Sequence, residues 1–424
     1  MDGKLYNEYV EILKEELIPA MGCTEPIAVA YAGAVAKKYL PCEAERVDIC
    51  VSGNIIKNVK SVIVPNTGGM KGLNAAAAAG IVAGDADKKL QVISEVTPEQ
   101  LDRLGSFMKK AEFSLRDSDS GYIFDIDIAV SGGGHSASCR IAGFHTNIIE
   151  IRCDGEAVFQ KDYVESGPSH KTDRNLLCVE KIVEFADCVK IEDVRETIGR
   201  QIDYNMAIAE EGLKKGYGAK VGQILIGAYG SSVWVRAKAM AAAGSDARMS
   251  GCELPVVINS GSGNQGITAS VPVVVYAREL GVSEELMYRA LVVSNLVSIH
   301  LKTGIGSLSA YCGATSAGCG AGAGITYMYG GRYEEIAHTV VNAIAINSGM
   351  ICDGAKASCA AKIASAVESG LLGMQMYMRG SEFYGGDGIV TKGVENTIRN
   401  VGQLARDGMK QTDKEIINIM IDKI

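Results

Sequence analysis

The sequence predicts an α+β protein in which a mostly α-helical domain carries a smaller inserted α/β domain with a mixed sheet. Two patterns lead to this prediction. The chain before residue 45 and after residue 171 repeats apolar side chains at helical spacing. The part between them alternates apolar and polar residues, as strands do. We therefore assign residues 1–44 together with 172–424 to the helical domain and residues 45–171 to the insertion.

Composition narrows the class of protein. The chain has 424 residues and 47% of them are hydrophobic, so it can bury a core large enough for two domains. A net charge of −8, without any long basic run, argues against nucleic acid as a partner. The charged start, MDGKLYNEYVEILKEEL, is typical of neither a signal peptide nor a transit peptide, so we expect a cytoplasmic protein. A homodimer is the expected assembly, since dimers are the commonest oligomers.

The first two predicted helices flank a turn that contains candidate catalytic or metal-binding residues. Residues 4–18 predict an amphipathic helix that Pro19 ends. Residues 27–39 are apolar nearly all round, which predicts a buried helix. The turn between them, AMGCTEP, places Cys23 and Glu25 near a helix N-terminus, where the backbone dipole lowers the pKa of a thiol.

The insertion is predicted from short alternating segments. Six of them indicate strands: RVDICVSGN, KNVKSVIVP, LQVISEV, YIFDIDIAVSG, HSASCRIAGF and NIIEIRC. The last three lie at hairpin spacing. A glycine-rich turn, PNTGGMKG, leads into an alanine-rich helix, and TPEQLDRLGSFMKKA predicts a capped helix.

The rest of the chain is predicted to be helical. NLLCVEKIVEFADCV, VRETIGRQIDYNMAIAEEGLKK and QILIGAYGSSVWVRAKAMAAAG all have helical periodicity. Segments 254–277, 303–331 and 336–352 are nearly uncharged and long enough to span a bilayer. They are rich in Gly, Ser, Asn and Thr and lack aromatic belts, which favours buried helices and no membrane. A membrane transporter with broken helices is the non-enzyme alternative.

The motif NSGSGNQG, residues 259–266, follows a strand-like segment and precedes an apolar helix. Its glycines fit the dinucleotide pattern G-x-G-x-x-G, but the second strand of such a unit is missing. A glycine loop at a helix N-terminus also binds small anions, including a carboxylate, through free backbone N–H groups. We prefer this reading, with a predicted substrate site at Asn259, Ser260, Ser262, Gly263, Asn264 and Gln265.

The cysteines divide into two groups. Seven of the twelve stand in mixed contexts typical of buried packing residues. The other five, which are Cys23, Cys312, Cys319, Cys352 and Cys359, lie among glycines or charged residues. Cys312, Cys352 and Cys359 are candidate ligands of an iron–sulfur cluster with one iron left open, whereas Cys319 reads as packing. The chain has no C-x-x-C pair, so spacing alone does not establish a metal site.

Six ordered motifs add a family resemblance that covers essentially the whole chain. MGCTEP, VSGNIIKN, PNTGGMKG, NSGSGNQG, YCGATSAGCG and GMICDGAKASC together resemble the L-cysteine desulfidase family. That family is related to the α chain of iron–sulfur L-serine dehydratases, and the dehydratase-like part starts at about residue 172. The resemblance implies pyridoxal-independent β-elimination of L-cysteine to pyruvate, ammonia and sulfide. L-serine dehydratase activity with the same chemistry is the alternative.

The resemblance also implies a cofactor and its ligands. It implies a [4Fe–4S] cluster with three cysteine ligands, whose open iron acts as a Lewis acid on the substrate thiolate. Cys312 and Cys352 match ligand positions of the family. Cys359 is the favoured third ligand, although the dehydratases place their last two cysteines farther apart, between prolines. Cys23 is the alternative third ligand.

The remaining roles are assigned to several candidates. The substrate is a small amino acid whose carboxylate is expected at residues 259–266, with help from Asn66, Thr67 and Gly68. A positioned base must remove the Cα proton. The candidate catalytic residues are Cys23, Lys356 and His300, and the sequence does not choose among them. The competing readings are a salt bridge to Asp353 for Lys356 and a helix cap for His300.

Overall fold

The computed structural model describes residues 1–163, 172–306 and 309–421. The first five helices are α1 Gly3–Glu16, α2 Thr24–Tyr39, α3 Gly53–Val59, α4 Gly72–Ala83 and α5 Pro98–Lys110. The next six are α6 Val179–Cys188, α7 Ile191–Lys215, α8 Val221–Tyr229, α9 Val233–Met249, α10 Gly263–Leu280 and α11 Glu284–Ile305. The last five are α12 Gly313–Met328, α13 Tyr333–Asn347, α14 Cys359–Met378, α15 Val394–Gln403 and α16 Lys410–Ile421.

Two sheets accompany the helices. The strands are β1 Pro19–Met21, β2 Arg46–Val51, β3 Glu112–Asp117, β4 Asp125–Gly132, β5 His135–Ala142, β6 Ile148–Cys153, β7 Glu156–Gln160 and β8 Pro255–Val257. Six of them form a mixed sheet in the order β3-β2-β4-β5-β6-β7, in which β2 and β3 are parallel and the other pairs antiparallel. The predicted α+β class, mostly helical with a mixed sheet, is confirmed.

The structure has two main apolar cores. The larger lies among α1, α6, α7 and the helices from α9 to α15, and the smaller lies between the six-stranded sheet and helices α2 and α4. Helix α2 is buried nearly all round, as predicted, and its apolar side chains belong to the sheet's core. The division into domains stays a prediction.

A short antiparallel ladder joins the two regions. Strand β1 precedes α2, strand β8 precedes α10, and the two pair with Pro19 opposite Val257. The two strands run in opposite directions, but the Thr24 hydroxyl contacts the Gly261 carbonyl oxygen, so the N-terminus of α2 lies close to the loop that leads into α10. The antiparallel pairing of β8 also excludes the parallel βαβ unit that a dinucleotide site requires.

Two predicted strands of the insertion are wrong. KNVKSVIVP overlaps helix α3, where Ile55, Ile56 and Val59 fall on one buried face after Ser52. Apolar residues at these spacings fit a helix as well as a strand, and burial against neighbouring elements decides. LQVISEV, residues 90–96, contributes its first two residues to the 3-10 turn Ala86–Gln91 and then forms a loop, in which Val92 and Ile93 are buried in the smaller core.

The predicted continuous helix QILIGAYGSSVWVRAKAMAAAG is two helices. Gly230 adopts a positive φ of 81° after α8, and Ser232 caps α9 by accepting a hydrogen bond from the Val235 N–H. Glycine tolerates this backbone conformation, and serine is a preferred N-cap.

Most of the uncharged stretch 303–331 forms the buried helix α12, while residues 303–305 end α11 and residues 307–308 lie outside the described residues. The glycines of α12 allow close packing: a Cβ at Gly322 would come within 2.6 Å of the Gly370 carbonyl oxygen on α14. Helices α12 and α14 therefore cross with their backbones nearly in contact. Among the described residues, no helix is both long enough and apolar enough to cross a bilayer.

Candidate active site

The two cysteines that best match ligand positions are brought together by backbone pairing. Tyr311 and Ile351 form an isolated antiparallel bridge. Beside it, the Cys352 N–H donates to the Ala310 carbonyl oxygen at 2.6 Å. Cys312 is the N-cap residue of α12, so its thiol lies where the first N–H groups of that helix are free. The bridge thus places the Cys312 and Cys352 segments next to each other at the start of α12.

Cys359 completes a group of three thiols. It is the first residue of α14, and its N–H donates to the Lys356 carbonyl oxygen at 3.0 Å. Burial, together with the charges of Cys352 and Cys359, raises the pKa of the Cys312 thiol to about 12. Burial also raises the pKa of Cys359. The three thiols therefore lie within electrostatic range of one another, and burial favours the protonated form of Cys312 and Cys359.

Lysines surround the three thiols. Lys302, in the last turn of α11, is 7% exposed, and burial lowers its pKa to about 8 although Cys352 and Cys312 oppose this. Lys362 donates to Asp353 Oδ1 at 2.5 Å, and Lys356 is paired with the same carboxylate. Burial alone would raise the pKa of Asp353, but hydrogen bonds from both lysines lower it to about 2. The local charge is therefore suited to thiolate anions.

These residues fit an iron–sulfur cluster better than a single ion. Among the described residues, no three His, Cys, Asp or Glu side chains converge closely enough to hold one metal ion. A cluster binds each thiolate through a different iron, so its ligands stand farther apart. A purely thiol donor set with neighbouring cations matches that requirement, because thiolates and sulfide bring negative charge that needs compensation.

Cys23 lies at the edge of the same region. It is the N-cap residue of α2 and is 2% exposed, and it packs with Cys359, Val62 and Met249. Its Sγ donates to Glu25 Oε2 at 3.1 Å. Burial and the Glu25 charge raise the pKa of the Cys23 thiol well above its usual value, the opposite of the lowering expected from the helix dipole.

The loop at residues 259–266 lies against the Cys23 turn. The Thr24 hydroxyl donates to the Gly261 carbonyl oxygen at 3.3 Å. Asn259 is fully buried and donates to Asn295 Oδ1, and Ser260 donates to Asn259 Oδ1, both at 2.9 Å. These two side chains hold the loop in shape. Ser262 caps α10 without a side-chain hydrogen bond, so the first N–H groups of α10 stay available for an anion.

The start of α10 also contacts the start of α12. A Cβ at Gly313 would come within 2.6 Å of Gln265 Cδ. Gln265 is 6% exposed, and its Oε1 has no hydrogen-bond partner among the described residues. Thr315 and Ser316, in the first turn of α12, have buried hydroxyls without a described partner as well. Helices α2, α10, α12 and α14 thus begin in one region that is rich in unused polar groups.

Asn66, Thr67 and Gly68 were predicted to assist in binding the carboxylate. In the structure, their described contacts mainly stabilise the turn that they form. Asn66 Nδ2 donates to the Ile93 carbonyl oxygen and Thr67 Oγ1 to the Val64 carbonyl oxygen, each at 2.7 Å. Asn66 and Gly68 both have positive φ. The turn lies close to the Cys23 turn, because a Cβ at Gly22 would clash with Pro65.

Two of the candidate bases already have partners. Lys356 forms the salt bridge with Asp353 that was its competing reading. His300 Nε2 lies 2.7 Å from Glu395 Oε2 on α15, and that carboxyl group also accepts a hydrogen bond from the Val179 N–H. Neither of these described contacts is to a thiol. Cys319 is fully buried within α12, where burial raises its pKa to about 12, in keeping with a packing role.

Sequence reasoning missed two residues that face this region. Arg248, near the end of α9, is 2% exposed, and its guanidinium donates to Asn264 Oδ1 at 3.2 Å. His145, in the hairpin between β5 and β6, has a buried Nε2 without a described partner. Burial lowers the pKa of His145. The charge of Arg248 acts in the same direction, whereas the charge of Glu25 opposes it. Neither residue lies in a motif, and the sequence offers only an arginine late in an alanine-rich helix as a signal for Arg248.

Comparison with known proteins identifies the family of the chain. Residues 87–418 match the serine dehydratase alpha chain family. The match begins earlier than the predicted residue 172 and includes part of the six-stranded sheet. It indicates a lyase with the iron–sulfur chemistry of serine dehydratases, and it confirms the predicted relationship to the dehydratase α chain.

Full-length relatives are bacterial. A UPF0597 protein of Desulfitobacterium hafniense is 58% identical over 420 residues, covering 99% of this chain and 98% of the relative. A UPF0597 protein of Treponema denticola is 47% identical over 428 residues, covering 99% of both chains. One from a Shewanella species is 38% identical, covering 98% of this chain and 99% of the relative. Their names give no activity. The chain belongs to the UPF0597 proteins and, with them, to the serine dehydratase alpha chain family.

Proposed function

We propose that this protein eliminates sulfide from L-cysteine, producing pyruvate and ammonia, with an oxygen-sensitive [4Fe–4S] cluster as cofactor. The observation that carries the proposal is the meeting of Cys312, Cys352 and Cys359 at the starts of α12 and α14, next to Lys302. Such a group of thiols has no use in a pyridoxal enzyme or in a dinucleotide site.

Cys312 and Cys352 would hold two of the irons. The third ligand would come from Cys359 or from Cys23, the two thiols that pack together beside Val62. When bound, the cluster would supply a Lewis-acidic iron that makes sulfide a better leaving group.

The chain's own residues would bind and orient the amino acid. The uncapped start of α10 provides N–H groups for the carboxylate, and Asn259 and Ser260 keep this loop rigid. Loss of the Cα proton and of sulfide leaves aminoacrylate, which tautomerises to an imine. Water then hydrolyses the imine to pyruvate and ammonia, so no external oxidant or reductant is needed.

Cys23 is a candidate proton carrier that packs with Cys359. Its hydrogen bond to Glu25 gives a proton a path away from the substrate, since the carboxylate accepts from the thiol at 3.1 Å. This role applies if Cys359 is the third ligand. If Cys23 is the ligand, Glu25 keeps a hydrogen bond from the Thr24 hydroxyl, at 3.1 Å, and its carboxylate would accept the Cα proton instead.

L-serine dehydratase activity is the second candidate, and the family match favours it. Loss of hydroxide from serine and of sulfide from cysteine makes the same demands on the site. Anaerobically purified protein should be assayed with both amino acids, measuring pyruvate and sulfide. Higher kcat/KM for cysteine supports the proposal, whereas higher kcat/KM for serine replaces it with the dehydratase.

We also propose that the protein is cytoplasmic and forms a homodimer. All twelve cysteines are free thiols, which suits a reducing compartment. The dimer is argued only from its frequency among proteins. Light scattering on the anaerobic protein measures the assembly, and a monomer at micromolar concentration contradicts the dimer.

A further inference from the structure

Arg248 is a buried cation that lacks an anion. Its side chain is 2% exposed, and its Nε is buried without a hydrogen-bond partner among the described residues. Its described hydrogen bond, at 3.2 Å, goes to Asn264 Oδ1, which is neutral. No carboxylate lies within ion-pair distance of it in the described part of the chain. Burying a charge costs free energy unless an opposite charge pairs with it. An anion bound beside Arg248 would therefore offset the cost of burying the guanidinium.

The guanidinium is held in a fixed place by its neighbours. It packs directly against Gly263, the first residue of α10, where any Cβ would clash with its Nε and Cζ. The amide of Asn264 accepts its Nη1 donor, which orients the planar group. A positioned guanidinium is pre-organised to bind a planar anion through two parallel hydrogen bonds.

A second set of donors lies beside it. Helix α10 runs for eighteen residues from Gly263, and its N-cap, Ser262, makes no side-chain capping bond. The free N–H groups of its first turn therefore start at the residue that touches Arg248. A helix N-terminus and a guanidinium on the same spot are complementary to a carboxylate.

The position also suits an α-amino acid. The Arg248 charge acts on Cys23 and on His145, so the guanidinium lies near both. Cys23 in turn packs with Cys359. A ligand whose carboxylate lies at Arg248 would thus extend its β-substituent toward the thiols.

We propose that Arg248 is the cationic anchor of the substrate's α-carboxylate, which binds between the guanidinium and the first turn of α10. Gly263 is required because it leaves room for the guanidinium. The inference rests on the proposed function in taking a β-substituted amino acid as the ligand. It assigns substrate binding to a residue on α9, outside the glycine loop.

The test distinguishes binding of the ligand's carboxylate from binding of its thiol. Two probes that share a thiol are titrated calorimetrically into anaerobic holoprotein: 3-mercaptopropionate, which has a carboxylate, and cysteamine, which has none. Losing a charge-assisted pair weakens binding by roughly 10- to 100-fold. We expect that loss for 3-mercaptopropionate in Arg248→Met, with cysteamine affinity unchanged. Arg236→Met is the matched control, since Arg236 is on the same helix but is paired with Glu279.

Two further variants guard against a folding defect. Gly263→Ala keeps the charge but displaces the guanidinium, so 3-mercaptopropionate should again bind more weakly while cysteamine does not. Arg248→Lys should give an intermediate loss. With L-cysteine, Arg248→Met should raise KM far more than it lowers kcat. Equal affinity of 3-mercaptopropionate for wild type and for either Arg248→Met or Gly263→Ala overturns the inference.

The binding measurement does not depend on turnover. If 3-mercaptopropionate binding depends on Arg248 but the protein releases no sulfide from L-cysteine, the proposed function is wrong and the role of Arg248 in binding the carboxylate is supported. If Arg248→Met releases sulfide normally and binds 3-mercaptopropionate as well as wild type does, the role of Arg248 is wrong and the proposed function is supported.

Discussion

Tyr311 and Ile351 pair as an isolated antiparallel bridge, and each is followed directly by a cysteine. Consecutive residues of an extended chain point to opposite sides, so a bridge fixes the positions of both its own residues and their neighbours. This pairing brings together two chain segments separated by the whole of α12 and α13. The positions of Cys312 and Cys352 therefore depend on backbone hydrogen bonds, which mutation of the thiols leaves intact.

Replacing Cys312 or Cys352 by alanine should abolish iron binding without unfolding the protein. Each variant removes a thiolate while the Tyr311–Ile351 bridge stays. We expect loss of the brown charge-transfer absorbance and of bound iron and sulfide, with an unchanged circular dichroism spectrum. Cys319→Ala is the matched control, because Cys319 is fully buried in α12 and should keep its iron. Full iron content in Cys312→Ala would contradict the ligand assignment.

Replacing Cys23 and Cys359 by serine, one at a time, should identify the third ligand. A three-cysteine cluster needs one of them, so we expect one variant to lose iron and the other to retain it with reduced turnover. Iron analysis and the sulfide assay on the same preparation give both readouts. If both variants keep their iron, or both lose it, the site does not have three cysteine ligands.

Gly322→Ala should destabilise the protein because α12 and α14 are in near backbone contact. The new Cβ would lie 2.6 Å from the Gly370 carbonyl oxygen, and such overpacking costs about 1–3 kcal/mol. Urea denaturation of the anaerobic protein measures the free energy of unfolding. Gly227→Ala in α8 is the control, since its Cβ meets nothing within 4 Å and should stabilise the helix slightly. Equal stability of Gly322→Ala and wild type would show that the two helices can separate freely.

Asp353→Asn should weaken the loop before α14 in a pH-dependent way. The folded-state pKa of Asp353 is depressed to about 2 by its lysines, so its stabilising effect is complete above the unfolded value of about 4. It is lost as pH falls from there toward 2. The side chain is 35% exposed, so solvent screening limits the cost at pH 7 to under about 1 kcal/mol.

Melting temperatures of wild type and Asp353→Asn between pH 7 and pH 3 measure this effect. The gap between them should be constant from pH 7 to about pH 5 and close below that. A gap that widens on acidification would mean that the carboxylate is not the group that the lysines stabilise.

Much of the helical region could be predicted from sequence, because periodicity reports which face of a helix is buried. Helix α1 follows that rule, whereas α2 and α12 are predicted as buried helices because nearly all of their residues are uncharged. Helix α3 could not be predicted in the same way, since seven residues with apolar positions at 55, 56 and 59 satisfy strand and helix patterns alike. The break at Gly230 depends on how α8 and α9 pack, which a local pattern does not contain.

The site was predicted unevenly for a related reason. Cys312, Cys352 and the residue 259–266 loop stand in distinctive glycine-rich segments. Arg248 and Lys302 stand in ordinary helical sequence, and their importance comes from burial beside residues distant in the chain. A single sequence shows which residues can bind a metal or an anion, but only the fold shows which cations are left unpaired.

The starts of α2 and α14 meet at this site, although one lies near the beginning of the chain and the other near residue 359. During synthesis, the thiols of α12 and α14 emerge from the ribosome long after Cys23 has left it. A nascent chain shorter than this has no complete set of ligands. Delivery of the proposed cluster would therefore follow translation of α12 and α14, and a product truncated before α12 would lack Cys312, Cys352 and Cys359.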